Sequence, residues 1–367
     1  MQSVSHVSAS KRVIKWTSSN MNDLLARYLD NLARRSNRFG RNVAPATVRA
    51  ARADLDGFIA WWAERHRLTF DPSLVLERDL RDWQAHRQTE DGARPSTINR
   101  ASASLRGFFA WAQAEGLLNH NPAAALHDLV LPQEAPRGLS PEGVEWLFRV
   151  ASDQPDTVAR ARDLALLTLL SDCGLRSQEA ADLQLRDLDL RAESLTVRAG
   201  KGGKARRLPI AGETVKRLRE YLRFRCPSGL PPVGSDAERE PLLFAQQRAS
   251  GMVTWRPGMQ TVTMRKRLAE LGKEAVTRIA AQKQREPSLA RIGELEDLAR
   301  ELGQISPHQL RHGLAYRLRG SGYDPGYVQR VLGHSRIATA LRYGQPTESD
   351  VRAALQKANN PQERERR

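Results

Sequence analysis

The stretch SPHQLRHGLAYRL, residues 306–318, combines a strong helix start with two histidines and an arginine. A serine followed by a proline is typical of an N-cap and a first helical turn, so a helix is predicted over 307–319. His308 and Arg311 are three positions apart and therefore about 60° apart around the helix axis. The leucines of the same stretch point roughly the other way, into a core.

Three interpretations of this helix arise: a metal site, a solvent-facing polar stripe and a cradle for an anion. The spacing of His308 and His312 matches a zinc-binding HExxH helix, but Gln309 stands where that motif needs glutamate. The inverted motif would need glutamate in place of Arg311, whose guanidinium repels a metal ion. The sequence therefore argues against zinc and leaves the other two interpretations open.

A second candidate is CGLRSQEAADL, residues 173–183, where Arg176 follows an almost wholly apolar stretch and a glycine. An arginine in this place is expected to face a buried anion or a carboxylate. Glu179 is three positions further on and could orient the guanidinium. A plain salt bridge between these two side chains is the alternative.

A third candidate is the glycine-rich turn in VRAGKGGKARRLPI, residues 197–210. The flanking segments 194–199 and 205–210 have strand composition, so a β-hairpin is predicted. Lys201 has a glycine on each side and could project into a groove as an acid or a phosphate contact. A solvent-exposed turn lysine is the alternative.

The fourth candidate is VLGHSRIATALRYG, residues 331–344. Gly333 is expected to end one helix, and His334 follows it directly. Tyr343 lies nine positions beyond His334, near the end of a short predicted helix and before another glycine, where the chain can flex. A tyrosine packed in a core is the alternative.

The overall charge restricts the class of partner. The 367 residues include 58 Lys and Arg against 42 Asp and Glu, a formal net charge of +16. A surface this basic favours a polyanion, most often nucleic acid, over a general solubility charge or a membrane surface. No apolar run approaches the roughly 18–20 residues that cross a bilayer, and no signal-peptide pattern opens the sequence. Cys173 and Cys226 are not paired at metal spacing, which fits a reducing cytoplasm.

The length predicts two domains. A polar, serine-rich stretch over 1–19 is expected to be a mobile arm. Helical periodicity then predicts a bundle of four helices: 22–35, 46–66, 76–88 and 95–118. Prolines and a glycine interrupt residues 121–143, which marks the boundary. Beyond it the chain is helix-prone apart from the predicted hairpin, and short helices are expected near its end: 307–319, 325–332 and 336–343.

In order along the chain, GLRSQEAADL, GKGGKARRLPI, SPHQLRHGLA and LGHSRIATALRY resemble the catalytic series of the tyrosine recombinase (phage integrase) family. The resemblance covers about residues 140–345, and the helical region 20–127 looks like the core-binding domain of that family. It implies a mainly α fold with a small β-sheet: a helical, SAM-like N-terminal domain and a mixed α/β integrase-type catalytic domain that clamp DNA. A linker over 128–139 and a tail over 346–367 that contacts another protomer complete this organisation. Residues 273–303 look like an added helical hairpin.

The resemblance implies DNA strand transfer through a 3′-phosphotyrosine, without metal, ATP or other cofactor. It assigns these catalytic residues: Arg176, Lys201, His308, Arg311, His334 and Tyr343. Tyr343 is the implied nucleophile, and the two arginines offer paired donors to the phosphate oxygens. Lys201 is the implied general acid, with Lys204 as the alternative. Glu179 would hold the first arginine, and His312 would pack or donate a hydrogen bond nearby.

The implied partners are double-stranded DNA at specific recombination sites and further copies of the chain in a tetrameric synapse. Arg100 and Arg106, on the fourth predicted helix, are candidates for DNA contact. The implied location is the cytoplasm of a bacterial-type cell, at the nucleoid. Two alternatives share part of this pattern. A type IB topoisomerase has the same chemistry but relaxes DNA, and a non-catalytic DNA-binding protein would leave the tyrosine and arginines unexplained.

Overall fold

The structure is a computed structural model, and it describes the following residues: 18–36, 42–131, 138–198, 205–249 and 252–333. The chain divides into two compact units, residues 1–133 and 134–367. Helices predominate among the described residues, and two small antiparallel sheets accompany them, which confirms the predicted fold class. Within the same ranges no helix is long and apolar enough to cross a membrane.

The first unit contains α1 (Ser18–Arg34), α2 (Pro45–His66), α3 (Glu77–Thr89) and α4 (Pro95–Ala114). These bounds agree with the four helices predicted from periodicity to within four residues. The start of α1 at Ser18 places its first residues inside the predicted arm. Helix α4 ends shortly before Gly116, whose φ of +71° is incompatible with continuing a right-handed helix.

Aromatic side chains fill the core of the first unit. Phe58, Phe108 and Phe109 are each at most 1% exposed, and Phe108 meets Phe109 edge to face at 5.2 Å between ring centroids. The indole Nε1 of Trp62 donates a hydrogen bond to the buried Asp79 carboxylate at 3.2 Å. The one polar end of this large ring is therefore satisfied inside an apolar core.

The second unit contains these elements: α5 (Pro141–Ser152), α6 (Thr157–Leu167), a π-helical turn (Thr168–Asp172), α7 (Ser177–Ala181), β1 (Leu188–Asp189), β2 (Ser194–Val197), β3 (Arg206–Pro209), α8 (Glu213–Arg225), β4 (Phe244–Ala249), β5 (Met252–Pro257), α9 (Thr261–Lys283), α10 (Leu289–Leu302), α11 (Pro307–Gly320) and α12 (Pro325–Leu332). Ser140 caps α5 by accepting a hydrogen bond from the Gly143 amide at 3.0 Å, as its Ser-Pro start predicts. Leu166, Leu167 and Leu169 are fully buried, so α6 and the π-helical turn lie at the centre of this unit.

The three-stranded sheet has β2 in the middle, antiparallel to both neighbours. Leu195 on β2 lies opposite Leu188 on β1 and Leu208 on β3, and all three side chains are buried. Strands β2 and β3 confirm the predicted pair, although both are shorter than the sequence suggests. Strand β1 and the hairpin β4–β5, in which Phe244 pairs with Pro257, are not anticipated by the sequence.

Helices α9 and α10 are part of the core of the second unit. Leu271 and Ile279 on α9, and Leu295 and Leu302 on α10, are each at most 1% exposed. The predicted hairpin over 273–303 is helical, but α9 starts at residue 261 and both helices close the core. The two helices are therefore part of the core, and the prediction that they are an addition to the family's fold stays a prediction. One apolar stripe is enough to bury a helix that is otherwise charged.

The last described elements are α11 and α12. Helix α11 begins at Pro307, as predicted, and α12 ends at Leu332. Gly333 follows it, and its φ of +63° gives a left-handed cap. Residues 334–367 lie outside the described ranges, including the predicted helix 336–343 and the tail 346–367.

Candidate active site

The structure describes five of the nine residues predicted for the catalytic site: Arg176, Glu179, His308, Arg311 and His312. The other four lie outside the described residues: Lys201, Lys204, His334 and Tyr343. The five described residues come from two places far apart in sequence, the loop before α7 and the helix α11. The structure brings Arg176, Glu179 and Arg311 into one cluster.

The backbone before α7 places Arg176. Gly174 has a φ of +62°, and a Cβ there would lie 2.6 Å from Leu332 Cδ2 and 2.7 Å from Leu314 Cδ2. Only glycine fits this left-handed, crowded position. Arg176 then has extended backbone as the N-cap of α7, and its amide donates to Glu179 Oε2 at 2.9 Å. The GLRxxE pattern is thus a turn and a helix start that fix both side chains.

Glu179 is the centre of the cluster, with 6% of its surface exposed. Arg176 Nη1 donates to Oε1 at 2.7 Å. Arg206 donates through Nη1 to Oε1 at 3.0 Å and through Nη2 to Oε2 at 2.8 Å. Arg311 Nη1 lies 3.9 Å from Oε2. Three guanidinium groups therefore surround one carboxylate, and these four side chains carry a net charge of +2.

The charge state of Glu179 follows from this environment. Burial by itself would raise the pKa of the carboxyl group. The hydrogen bonds from Arg206 and from the Arg176 amide, together with the positive charges of both arginines, outweigh burial and lower the pKa to about 2. Glu179 is therefore ionised at every pH at which the protein is expected to work.

Arg311 is buried, with 3% of its surface exposed, and it joins three segments of the unit. Its Nη1 donates to the Gly174 carbonyl oxygen and its Nη2 to the Leu332 carbonyl oxygen. The first carbonyl belongs to the turn before Arg176 and the second to the last turn of α12. Helix α11 is thereby tied to both segments through one side chain.

The two histidines of α11 are neutral at pH 7. His308 is exposed when the whole residue is considered, but its ring is partly desolvated. This desolvation, followed by the positive charges of Arg311, Arg176 and Arg265, lowers the pKa of His308. Desolvation, His308 and Arg311 lower the pKa of the half-buried His312 to about 4. The two rings lie 6.4 Å apart between centroids. In the described part of the chain, no group of three or more His, Cys, Asp or Glu side chains is arranged to hold a metal ion.

Two cationic side chains of this region are absent from the prediction. Arg206 stands on β3, opposite Val197 of β2, and pairs with Glu179. Arg265, on α9, is close enough to affect the pKa of His308. Arg206 lies within the quoted block GKGGKARRLPI, so its position was available from the sequence. The direction in which the Arg206 side chain points was not available from the sequence, because it depends on how β3 packs against α7.

The two arginines predicted to contact DNA make contacts within the first unit. Arg100 Nη1 donates to Asp54 Oδ2 at 2.5 Å, and about half of the arginine side chain is exposed. Arg106 donates to the Leu126 carbonyl oxygen at 2.9 Å and to Asp128 Oδ1 at 2.7 Å. Both guanidinium groups are therefore held in place by neighbours of their own unit.

Comparison with protein families agrees with this arrangement of a helical unit followed by an arginine-lined unit. Residues 138–350 match the Phage integrase family, and residues 25–116 match the Phage integrase, N-terminal SAM-like domain. The chain therefore belongs to the phage integrase family. It is a site-specific tyrosine recombinase, an enzyme that cleaves and rejoins DNA, as the sequence resemblance implies.

The similar proteins are recombinases and integrases. The tyrosine recombinase XerC of Roseiflexus sp. (strain RS-1) is 29% identical over 348 residues, which cover 91% of this chain and 95% of that protein. XerC of Rhodospirillum centenum is 32% identical over 308 residues, 83% of this chain and 78% of that protein. A solved structure of the Tn1549 transposon integrase in complex with circular intermediate DNA covers 91% of this chain and 99% of its own, with a TM-score of 0.61 and 21% identity. A solved structure of a lambda integrase dimer bound to a COC′ core site has a TM-score of 0.56 and 15% identity, and the match covers 88% of this chain and 95% of that chain. The two structures show the shared fold.

Proposed function

We propose that the arginine cluster of the second unit binds the scissile phosphate of DNA and that Tyr343 attacks it. The observation that supports this proposal is the excess of guanidinium groups around one buried carboxylate: Arg176, Arg206 and Arg311 against Glu179. Phosphoryl transfer gains most from donors and positive charge placed where negative charge develops. A phosphodiester gains negative charge on its non-bridging oxygens as the fifth bond to phosphorus forms.

Arg176 is the residue best placed to receive the phosphate. About a quarter of its side chain is exposed. Its Nη1 is held by Glu179, whereas its Nη2 makes a long hydrogen bond of 3.5 Å to the Gly333 carbonyl oxygen. A phosphate oxygen is a stronger acceptor than a carbonyl oxygen, so it can replace that second contact. Arg176 would then bridge the carboxylate and the phosphate.

Arg311 differs from Arg176 in being buried and bonded to backbone carbonyl oxygens. Its donors hold the carbonyl oxygens of Gly174 and Leu332. These contacts keep the guanidinium group of Arg311 beside the cluster, where its positive charge adds to the attraction for a phosphate. Arg311 therefore supports the cradle while the site is empty and contributes charge to it once DNA is present.

The proposed reaction uses residues on both sides of the phosphate. The hydroxyl oxygen of Tyr343 forms a bond to phosphorus while the bond from phosphorus to the 5′ oxygen breaks, which leaves a 3′-phosphotyrosine. His308, neutral at pH 7, accepts the tyrosine proton or contacts the phosphate. Lys201 donates a proton to the leaving 5′ oxygen, with Lys204 as the alternative donor. His334 donates a hydrogen bond to the phosphate, and the reverse sequence rejoins the strand.

We also propose the domain roles that the resemblance implies. Residues 20–127 would bind the DNA core site, with Arg100 and Arg106 near the duplex, and four chains would assemble on two recombination sites. The tail 346–367 would contact a neighbouring protomer. The place of work would be the cytoplasm of a bacterial-type cell, at the nucleoid. The first support for these roles is the match of both parts of the chain to the family.

The test of the site is a nicked suicide substrate that traps the covalent intermediate, separated on a denaturing gel. The wild-type chain should leave a protein–DNA adduct. Tyr343→Phe should bind the substrate and leave none, because the phenyl ring has no nucleophilic oxygen. Tyr323→Phe is the matched control, since Tyr323 is an exposed tyrosine of the same unit and should leave the adduct intact. An adduct from Tyr343→Phe would show that another residue is the nucleophile.

A further inference from the structure

We propose that Arg206 is a positioning residue for the recombination reaction. It holds Glu179 in a fixed place so that Arg176 can turn the Nη2 edge of its guanidinium group to the scissile phosphate. The inference rests on the proposed function, in which Arg176 receives that phosphate. Neither the sequence motifs nor the family resemblance gave Arg206 a role.

The geometry of the Arg206–Glu179 pair is the first support. Two parallel hydrogen bonds, at 3.0 and 2.8 Å, join the end of the guanidinium to both carboxylate oxygens. Arg206 has 13% of its side chain exposed and Glu179 has 4%, so the pair is shielded from water. By contrast, the Arg176 guanidinium contacts only Oε1. Arg206 therefore fixes the plane of the carboxylate, and Arg176 takes one remaining acceptor position.

A second contact carries the influence of Arg206 to the end of α12. A Cβ on Gly333 would lie 3.0 Å from both Cδ and Nη1 of Arg206, so the arginine stem packs directly against the Gly333 backbone. The carbonyl oxygen of Gly333 accepts the hydrogen bond from Arg176. His334 is the next residue in the sequence. Arg206 thus contacts both the Glu179 carboxylate and the backbone of Gly333, the residue that precedes the segment containing His334 and Tyr343.

The strand that carries Arg206 supplies a third link. Arg206 is the first residue of β3 and lies five positions after Lys201, the proposed general acid. Its pairing with Glu179 of α7 anchors the start of β3 to the helix that Arg176 caps. Arg206 therefore ties the first residue of β3, five positions after the proposed acid in sequence, to the carboxylate that also holds Arg176.

The charges predict what happens without Arg206. Its hydrogen bonds come first among the interactions that lower the pKa of Glu179, so the buried carboxylate depends on it for compensation. Removing one partner leaves the other charges to satisfy the buried ion. Arg176 and Arg311 would be drawn towards Glu179, and Arg176 would no longer be turned to the phosphate. DNA binding by the whole chain should change little, whereas the chemical step should slow.

The experiment compares Arg206→Gln with Arg207→Gln in the full-length chain. Arg207 is the next residue on β3 and is exposed, so both variants lose the same charge from the same strand. Single-turnover formation of the covalent adduct on the suicide substrate is the readout, with the Kd for the same DNA measured separately. Arg206→Gln should slow adduct formation by about a hundredfold, as displacements of about 1 Å in an active site do, and Arg207→Gln by less than about threefold. Both Kd values should rise by a similar, small factor.

A double-mutant cycle separates positioning from a general structural role. If Arg206 acts through Glu179, adding Arg206→Gln to Glu179→Gln should slow the reaction by less than about threefold beyond Glu179→Gln alone. An undiminished hundredfold loss in the Glu179→Gln background would overturn the proposal. So would an Arg206→Gln chain that folds and forms adduct at the rate of Arg207→Gln.

A conservative variant keeps the test decisive if Arg206→Gln does not fold. Arg206→Lys retains the charge and the stem but cannot make two parallel hydrogen bonds, so it should fold and react about tenfold slower than the wild type. Wild-type rates from Arg206→Lys would overturn the proposal. A failure of the proposed function is distinguishable, because an adduct from Tyr343→Phe would show it whatever Arg206 does.

Discussion

Replacing Glu179 by glutamine removes the charge at the centre of the arginine cluster and keeps the shape of the side chain. The carboxylate accepts hydrogen bonds from Arg176 and Arg206 and is 6% exposed. Glutamine keeps one acceptor oxygen. Its NH2 group takes the place of the other oxygen, so N–H donors of the amide would face N–H donors of a guanidinium group without an acceptor between them. We therefore expect Glu179→Gln to destabilise the second unit.

The magnitude follows from the pKa of Glu179, which falls from an ordinary value of 4.5 to about 2 in the folded protein. At about 1.4 kcal/mol for each pH unit, the folded state favours the ionised form by about 3 kcal/mol. We expect Glu179→Gln to lower the free energy of unfolding at pH 7 by about this amount. Loss of one member of a buried ion pair costs about 3–5 kcal/mol in other proteins, which is of the same order.

The pH dependence has a definite sign. Because the pKa of Glu179 is lower in the folded state than in the unfolded state, its contribution to stability is complete above about pH 4.5 and is lost as the pH falls towards 2. The glutamine variant lacks this contribution at every pH. The difference in free energy of unfolding between wild type and variant should therefore shrink over this window.

The assay is a urea series with pulsed hydrogen exchange, read by mass spectrometry of peptides from residues 138–333. This measurement follows the second unit of the full-length chain separately from the first. Glu294→Gln is the control, because Glu294 has 63% of its side chain exposed and an exposed ion pair contributes at most about 1 kcal/mol. A loss below 1 kcal/mol at pH 7, or a difference that stays constant from pH 5 to pH 3, would refute the reasoning.

Two further predictions concern α10 and the tail. Leu295→Ala should lower the free energy of unfolding of the second unit by about 2–5 kcal/mol because Leu295 is fully buried, whereas Leu289→Ala, at an 84% exposed leucine of the same helix, should change it by less than about 0.5 kcal/mol. Equal effects in the urea series would contradict the assignment of α10 to the core. Deleting residues 346–367 should weaken cooperative assembly on paired recombination sites in native gels and leave binding to a single site nearly unchanged. Unaltered cooperativity would remove the proposed role of the tail.

Much of the fold is readable from local sequence. The four helices of the first unit follow from apolar periodicity, and the start of α5 follows from the cap Ser140, which the structure shows bonded to Gly143. The pair of strands β2 and β3 follows from strand-like segments around a glycine-rich turn. These features depend on residues close together in sequence, which is why patterns of composition and spacing predict them.

The sequence predicts only part of the candidate active site. The residues Arg176 and Glu179 are three positions apart, and their hydrogen bonds are those of a local helix start. Their pairing is therefore predicted by spacing alone. The spacing of His308 and Arg311 predicts that they share one face of α11, but it does not predict how deeply each side chain is buried. His308 is exposed, whereas Arg311 is buried and bonded to backbone carbonyl oxygens of two distant segments.

The sequence by itself determined the family of this protein, the four helices of its first unit, the pair of strands β2 and β3, and the identity of its candidate catalytic residues. Only the tertiary structure decided that Arg206 clasps Glu179 across 27 positions of sequence, that Arg311 faces inward, and that α9 and α10 complete the core. The physical reason is burial of charge. A charged side chain is ordinarily exposed, and it stays inside a protein only when partners surround it. Those partners come from segments that local patterns cannot bring together.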